Sequence, residues 1–81
     1  MPKIPRDLSG QDLVKALRSF DYKIARQSGS HIRLVSQYKG NEHAITIPDH
    51  SSIKIGTLNN ILNDIAVYLC ISKDSLIEKL F

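Results

Sequence analysis

Leu13, Val14, Leu17 and Phe20 fall at i, i+1, i+4 and i+7, which makes one apolar face of a helix. Ser9 is a good N-cap for it, and Asp12 sits near the positive helix end, so the spacing predicts a helix over 9–20. Asp21 breaks the pattern. From Tyr22 to Gln27 the chain alternates, with Tyr22, Ile24 and Arg26 on one face and Lys23, Ala25 and Gln27 on the other. Ser28-Gly29-Ser30 reads as a hairpin turn. A second strand, His31 to Gln37, places Ile32 and Leu34 on one face and His31, Arg33 and Val35 on the other. Lys39-Gly40-Asn41 turns the chain again, and a third strand, Glu42 to Ile47, ends at Pro48.

A polar loop, Asp49 to Gly56, precedes a second helix from Thr57 to Tyr68 or Leu69, with Leu58, Ile61, Leu62 and Ile65 as its buried stripe. Ser72 caps a last short helix that carries Leu76, Ile77, Leu80 and Phe81. The start, Met1 to Leu8, with Pro2 and Pro5, is expected to be irregular. The order is α-β-β-β-α plus a terminal helix, an α+β class. Helices cover one face of a three-stranded antiparallel meander and leave the other open, with His31 and Arg33 on the open face or its edge.

At 81 residues the chain is expected to be one domain, 1–81, with one modest core. A composition of 42% hydrophobic and 23% charged residues argues against disorder. There is no apolar run long enough to span a bilayer and no signal peptide pattern, so a cytoplasmic protein without a membrane partner is expected. Cys70 cannot form an internal disulfide. Within Val67-Tyr68-Leu69-Cys70-Ile71 it is expected to be a buried structural thiol. The net charge of +3 is uneven: residues 1–54 hold nine Lys/Arg against five Asp/Glu, while residues 55–81 hold two against three. A basic first part suggests a polyanionic partner such as nucleic acid.

His31 carries the candidate chemistry. Imidazole is the one side chain whose unperturbed pKa lies near neutrality, so it can take and return a proton. Next to Arg33 on a strand edge it supplies the minimum parts for cutting RNA; a surface histidine on an RNA- or protein-binding domain has the same sequence. Gly29 is suited to a positive φ in the turn, and Ser28 and Ser30 either stabilise that turn or contact phosphate. His43, on the third strand, is expected at a plain surface position. Gly56-Thr57 opens a helix whose free N–H groups are available to phosphate or to a capping side chain. Tyr22, Tyr38 and Tyr68 do not form a base-stacking array at strand spacing. Three histidines without paired Cys or carboxylate spacing give no metal site, and no cofactor is expected.

Taken in order, Ile4-Pro5-Arg6, Arg26-Gln27-Ser28-Gly29-Ser30-His31, Ile47-Pro48-Asp49-His50, Gly56-Thr57-Leu58 and Ile61-Leu62 resemble the HicA toxins of bacterial toxin–antitoxin systems, over about residues 4–81. Ile32 departs from the pattern, where the family often has a polar residue or a second histidine, and the second helix is about one turn longer.

The resemblance implies a fold like the double-stranded RNA-binding domain. It also implies an mRNA-cleaving endoribonuclease, with His31 as the catalytic histidine and a HicB antitoxin covering the active surface in a hetero-oligomer. His31 would be the general base on a ribose 2′-hydroxyl, with Arg33 best placed to stabilise the phosphorane. Arg26, Ser28, Gly29, Ser30, His50 and Lys54 would complete the RNA contacts; His50, at what resembles the family's Pro-x-His position, is open to a second acid–base role or a structural one as well. Cleavage would be metal-independent transesterification. The rival readings are a non-catalytic double-stranded RNA-binding module and a protein-interaction domain of the same fold.

Overall fold

The computed structural model describes residues 4–81; Met1 to Lys3, part of the expected irregular start, lie outside the described residues. Ser9 caps helix α1 (Gly10–Leu17): its Oγ accepts from the Asp12 N–H at 3.0 Å, and the Asp12 carboxylate accepts from the Ser9 N–H at 3.3 Å. This reciprocal cap answers two of the helix's orphan donors. The helix tightens into a 3-10 turn over Arg18–Phe20 and ends at Asp21, whose φ of 63° lies in the left-handed region. That conformation explains why Asp21 interrupts the apolar period.

Strands β1 (Lys23–Ser28), β2 (His31–Ser36) and β3 (His43–Pro48) form an antiparallel sheet in that order. Burial on β2 alternates strictly at its start: Ile32 and Leu34 are fully buried while His31 and Arg33 are exposed. Ile45 and Ile47 of β3 extend the buried face. Leu13 and Leu17 of α1 and Leu58, Leu62 and Ile65 of α2 (Ile55–Leu69) close over it, with Leu76 of α3 (Lys73–Leu80) completing the core. The fold class and the covered and open faces follow the expected arrangement. No helix among the described residues is long and apolar enough to cross a membrane.

The first strand departs from simple alternation. Ile24 pairs with Leu34, yet Arg26 pairs with Arg33, so Ala25 is an extra residue in a β-bulge. The bulge reverses the side-chain phase. Arg26 therefore leaves the face of Tyr22 and Ile24, where alternation put it, and joins Arg33 and His31 on the open face.

Two further expectations are corrected. Cys70 is exposed, not buried. It takes φ 59° at the end of α2, where the Ile71 N–H reaches the Ala66 carbonyl at 3.1 Å, a Schellman ending that turns the Cys70 side chain outward. His43 is not a plain surface residue: its side chain is only 17% exposed. Its ring stacks on Tyr68 with centroids 4.6 Å apart, and its Nδ1 lies 2.6 Å from the Tyr22 hydroxyl. Nε2 faces the Asp64 carboxylate at 3.6 Å, which favours a proton on Nε2 and makes the Tyr22 hydroxyl the donor. The nearly fully buried Tyr22 thereby satisfies its polar end.

Candidate active site

Gly29 and Ser30 join β1 to β2 in a two-residue turn. Gly29 has φ 57° and Ser30 does not share the positive sign, the pattern of a type II′ turn. The turn places Ser28 opposite His31, and the bulge places Arg26 opposite Arg33. On the other side of β2, His31 pairs with Pro48 and Arg33 with Thr46. One depression of about 250 Å³ follows, lined by Arg26, Ser28, His31, Arg33 and Thr46.

A second depression of about 370 Å³ adjoins it, lined by His31, Thr46, Pro48, His50, Lys54 and Thr57. His31 and Thr46 are the wall common to both. Neither has a carboxylate in its lining, so Arg26, Arg33 and Lys54 leave the surroundings of His31 cationic.

The loop after β3 is held in place by Asp49. Its N–H donates to the Ser30 carbonyl at 2.7 Å, and its carboxylate accepts from Gln11 at 3.2 Å and from Gln27 at 3.0 Å. The Gly10 N–H donates to the His50 carbonyl at 3.0 Å, and a Cβ on Gly10 would overlap the Pro48 carbonyl oxygen. These contacts pin the His50-to-Lys54 loop beside the turn that presents His31.

Of the expected residues, Arg26, Ser28, His31 and Arg33 meet in one depression, and His50 and Lys54 meet His31 in the next. Gly29 and Ser30 are exposed at the turn and line neither; their part is to shape it. Thr46 is a site residue the sequence reading missed, and β2–β3 register was the signal that would have found it. Asp49 was missed as the clamp because its partners are remote in sequence.

Helix α2 starts at Ile55, earlier than the expected Thr57, and no side chain caps it. Thr57 is not a cap but stands in the first turn, in the wall of the second depression. Two larger depressions, about 450 and 400 Å³, flank Ile24 at the far end of β1 and contain no histidine. Chemistry rather than volume therefore marks the site.

The model of the HicA toxin of bacterial toxin–antitoxin systems matches residues 10–67. The chain belongs to the HicA toxin family. The matched span contains both depressions around His31, and in this HicA protein α3 lies beyond it. Comparison with curated proteins and with solved structures gave no match. As the toxin of a toxin–antitoxin pair, a HicA protein has an antitoxin as its counterpart.

Proposed function

We propose that this HicA protein is an endoribonuclease that cleaves mRNA and so inhibits translation. The observation behind this reading is the position of His31, an exposed imidazole in the common wall of two depressions lined by Arg26, Arg33 and Lys54. His31 removes the proton from a ribose 2′-hydroxyl. That oxygen attacks the adjacent phosphorus, the bond to the 5′-oxygen breaks, and the leaving oxygen takes up a proton. The products are a 2′,3′-cyclic phosphate and a 5′-hydroxyl end.

Negative charge on the phosphorane is stabilised by Arg33, with Arg26, Lys54 and His50 gripping the backbone and Ser28 in the lining beside them. The nucleophile is internal to the RNA, so the step needs no metal ion. A HicB-type antitoxin that covers the His31 face blocks substrate, and carboxylates on such a partner complement Arg26, Arg33 and Lys54.

The test incubates wild-type and His31→Ala protein with a defined mRNA in EDTA and maps the ends. Cyclic phosphate ends from wild type alone support the reading. Equal cleavage by His31→Ala overturns the catalytic assignment, and strict magnesium dependence overturns the metal-free step.

One observation favours a second reading. The His31 ring makes no hydrogen bond to a described residue, so no protein group fixes its tautomer. A module that grips RNA by shape and 2′-hydroxyl contacts, without chemistry, needs no such group. That reading requires RNA affinity retained in His31→Ala and no cleavage by either form.

A further inference from the structure

Lys54, a wall of the second depression, is also a wall of a third. This one measures about 390 Å³ and is lined by Arg6, Asp7, Ser52, Ile53 and Ile55 besides Lys54. Consecutive hollows of the three therefore share a wall. His31 and Thr46 link the first to the second, and Lys54 links the second to the third. Arg26 and Arg33 line the first hollow, Lys54 the second and third, and Arg6 the third, with His31 in the wall between the first and second.

Arg6 and Lys54 are exposed and make no ion pair with a described residue. Asp7 is the one carboxylate in the lining of the three hollows. Its Oδ1 takes a hydrogen bond from the Ser52 hydroxyl at 3.4 Å, and the Leu8 carbonyl accepts from the Ile53 N–H at 2.8 Å. These two contacts hold the 6–8 segment against the 52–54 loop and keep Arg6 beside Lys54. Exposed cations in adjoining hollows repel one another in the free protein, and a polyanion lying across them removes that repulsion.

We propose that the RNA strand crossing His31 continues past Lys54, and that Arg6 binds one of its backbone phosphates beyond the cut. This rests on the RNA-cleavage reading. Arg6 lies outside the residues 10–67 that match the family model.

The test measures binding of a 2′-O-methyl single-stranded RNA, which cannot be cleaved, over a series of salt concentrations. The proteins are wild type, Arg6→Ala, Asp7→Asn and Arg33→Ala. Arg6→Ala is expected to bind several-fold more weakly and to lower the slope of log affinity against log salt by about 0.7, the share of one phosphate contact. Asp7→Asn is expected to bind more tightly. It keeps the Ser52 contact, and Asn tolerates the left-handed φ of 57° at this position.

If Arg6→Ala and Asp7→Asn bind like wild type while Arg33→Ala binds weakly, the strand does not reach Arg6. The inference then falls and the RNA reading survives; the same result is expected if the third hollow serves an acidic protein instead. If no form binds RNA, both fall.

Discussion

Arg26 and Arg33 stand directly opposite each other across the β1–β2 ladder, and neither is ion-paired with a described carboxylate. Like charges in that position destabilise a sheet by a fraction of a kcal/mol, so a fold selected only for stability would not keep them. Arg33→Glu is expected to raise stability by about 0.2–1 kcal/mol by pairing with Arg26, while abolishing RNA cleavage. Arg33→Ala should leave stability unchanged or slightly raised and also impair cleavage. Thermal unfolding and a transcript cleavage assay check both signs together. A loss of stability in Arg33→Glu would show that the pair is not electrostatically strained.

His50 lines the depression beyond His31, and the proposed function gives it an RNA contact rather than proton transfer. His50→Ala is therefore expected to raise KM several-fold with kcat nearly kept, and to leave the pH dependence of kcat as in wild type. A kcat profile that loses one of its limbs in His50→Ala would instead make His50 the partner of His31 in proton transfer.

Burial pushes the Tyr22 hydroxyl well above the ordinary tyrosine range, and Tyr68 and Asp64 add to the effect. The folded protein thus keeps this proton where an unfolded tyrosine, with a pKa near 10, releases it. The stability this contributes is complete below about pH 10 and is lost as pH rises above it. Tyr22→Phe is expected to cost about 1–2 kcal/mol near neutrality, because His43 Nδ1 loses its donor, and to flatten the alkaline decline. Urea unfolding of both forms from neutral pH to above pH 10 tests this. An unchanged alkaline slope in the variant would assign the decline to other groups.

Alanine is a better helix former than glycine by about 1 kcal/mol, so Gly10→Ala would stabilise α1 if only propensity mattered. Here the new Cβ overlaps the Pro48 carbonyl oxygen and lies 3.0 Å from the Asp49 Cα. A net loss of about 1–3 kcal/mol is expected, with reduced cleavage because the Pro48-to-Lys54 loop is displaced from His31. Denaturant unfolding reads the sign; a more stable Gly10→Ala would refute the close approach.

Most of the elements were legible in the sequence because their signals are local. The Ser9–Asp12 cap, the period of Leu13, Val14 and Leu17, the positive φ at Gly29 and the β2 alternation each depend on neighbours within a turn or two. The start of α2 at Ile55 is not legible in the sequence, because Lys54 before it makes no side-chain capping hydrogen bond. His43 and Cys70 were misplaced for another reason. The ring of His43 is covered by Tyr68 and reaches Tyr22, partners contributed by α2 and by the segment before β1. Cys70 sits in an apolar string, but a left-handed backbone takes it off the buried stripe.

The sequence by itself determined an α+β chain with one apolar sheet face, and a histidine and an arginine at alternate positions of the middle strand. Alternation has a fixed period, so no tertiary information was needed to put His31 and Arg33 on one side. The tertiary structure decided how the other candidate residues reach them. The bulge at Ala25, a property of ladder hydrogen bonding between two strands, turned Arg26 toward them. Asp49, bonded to Gln11, Gln27 and Ser30, brought His50 and Lys54 to the same imidazole. Both depend on hydrogen bonds between residues distant in the chain, which no local pattern encodes.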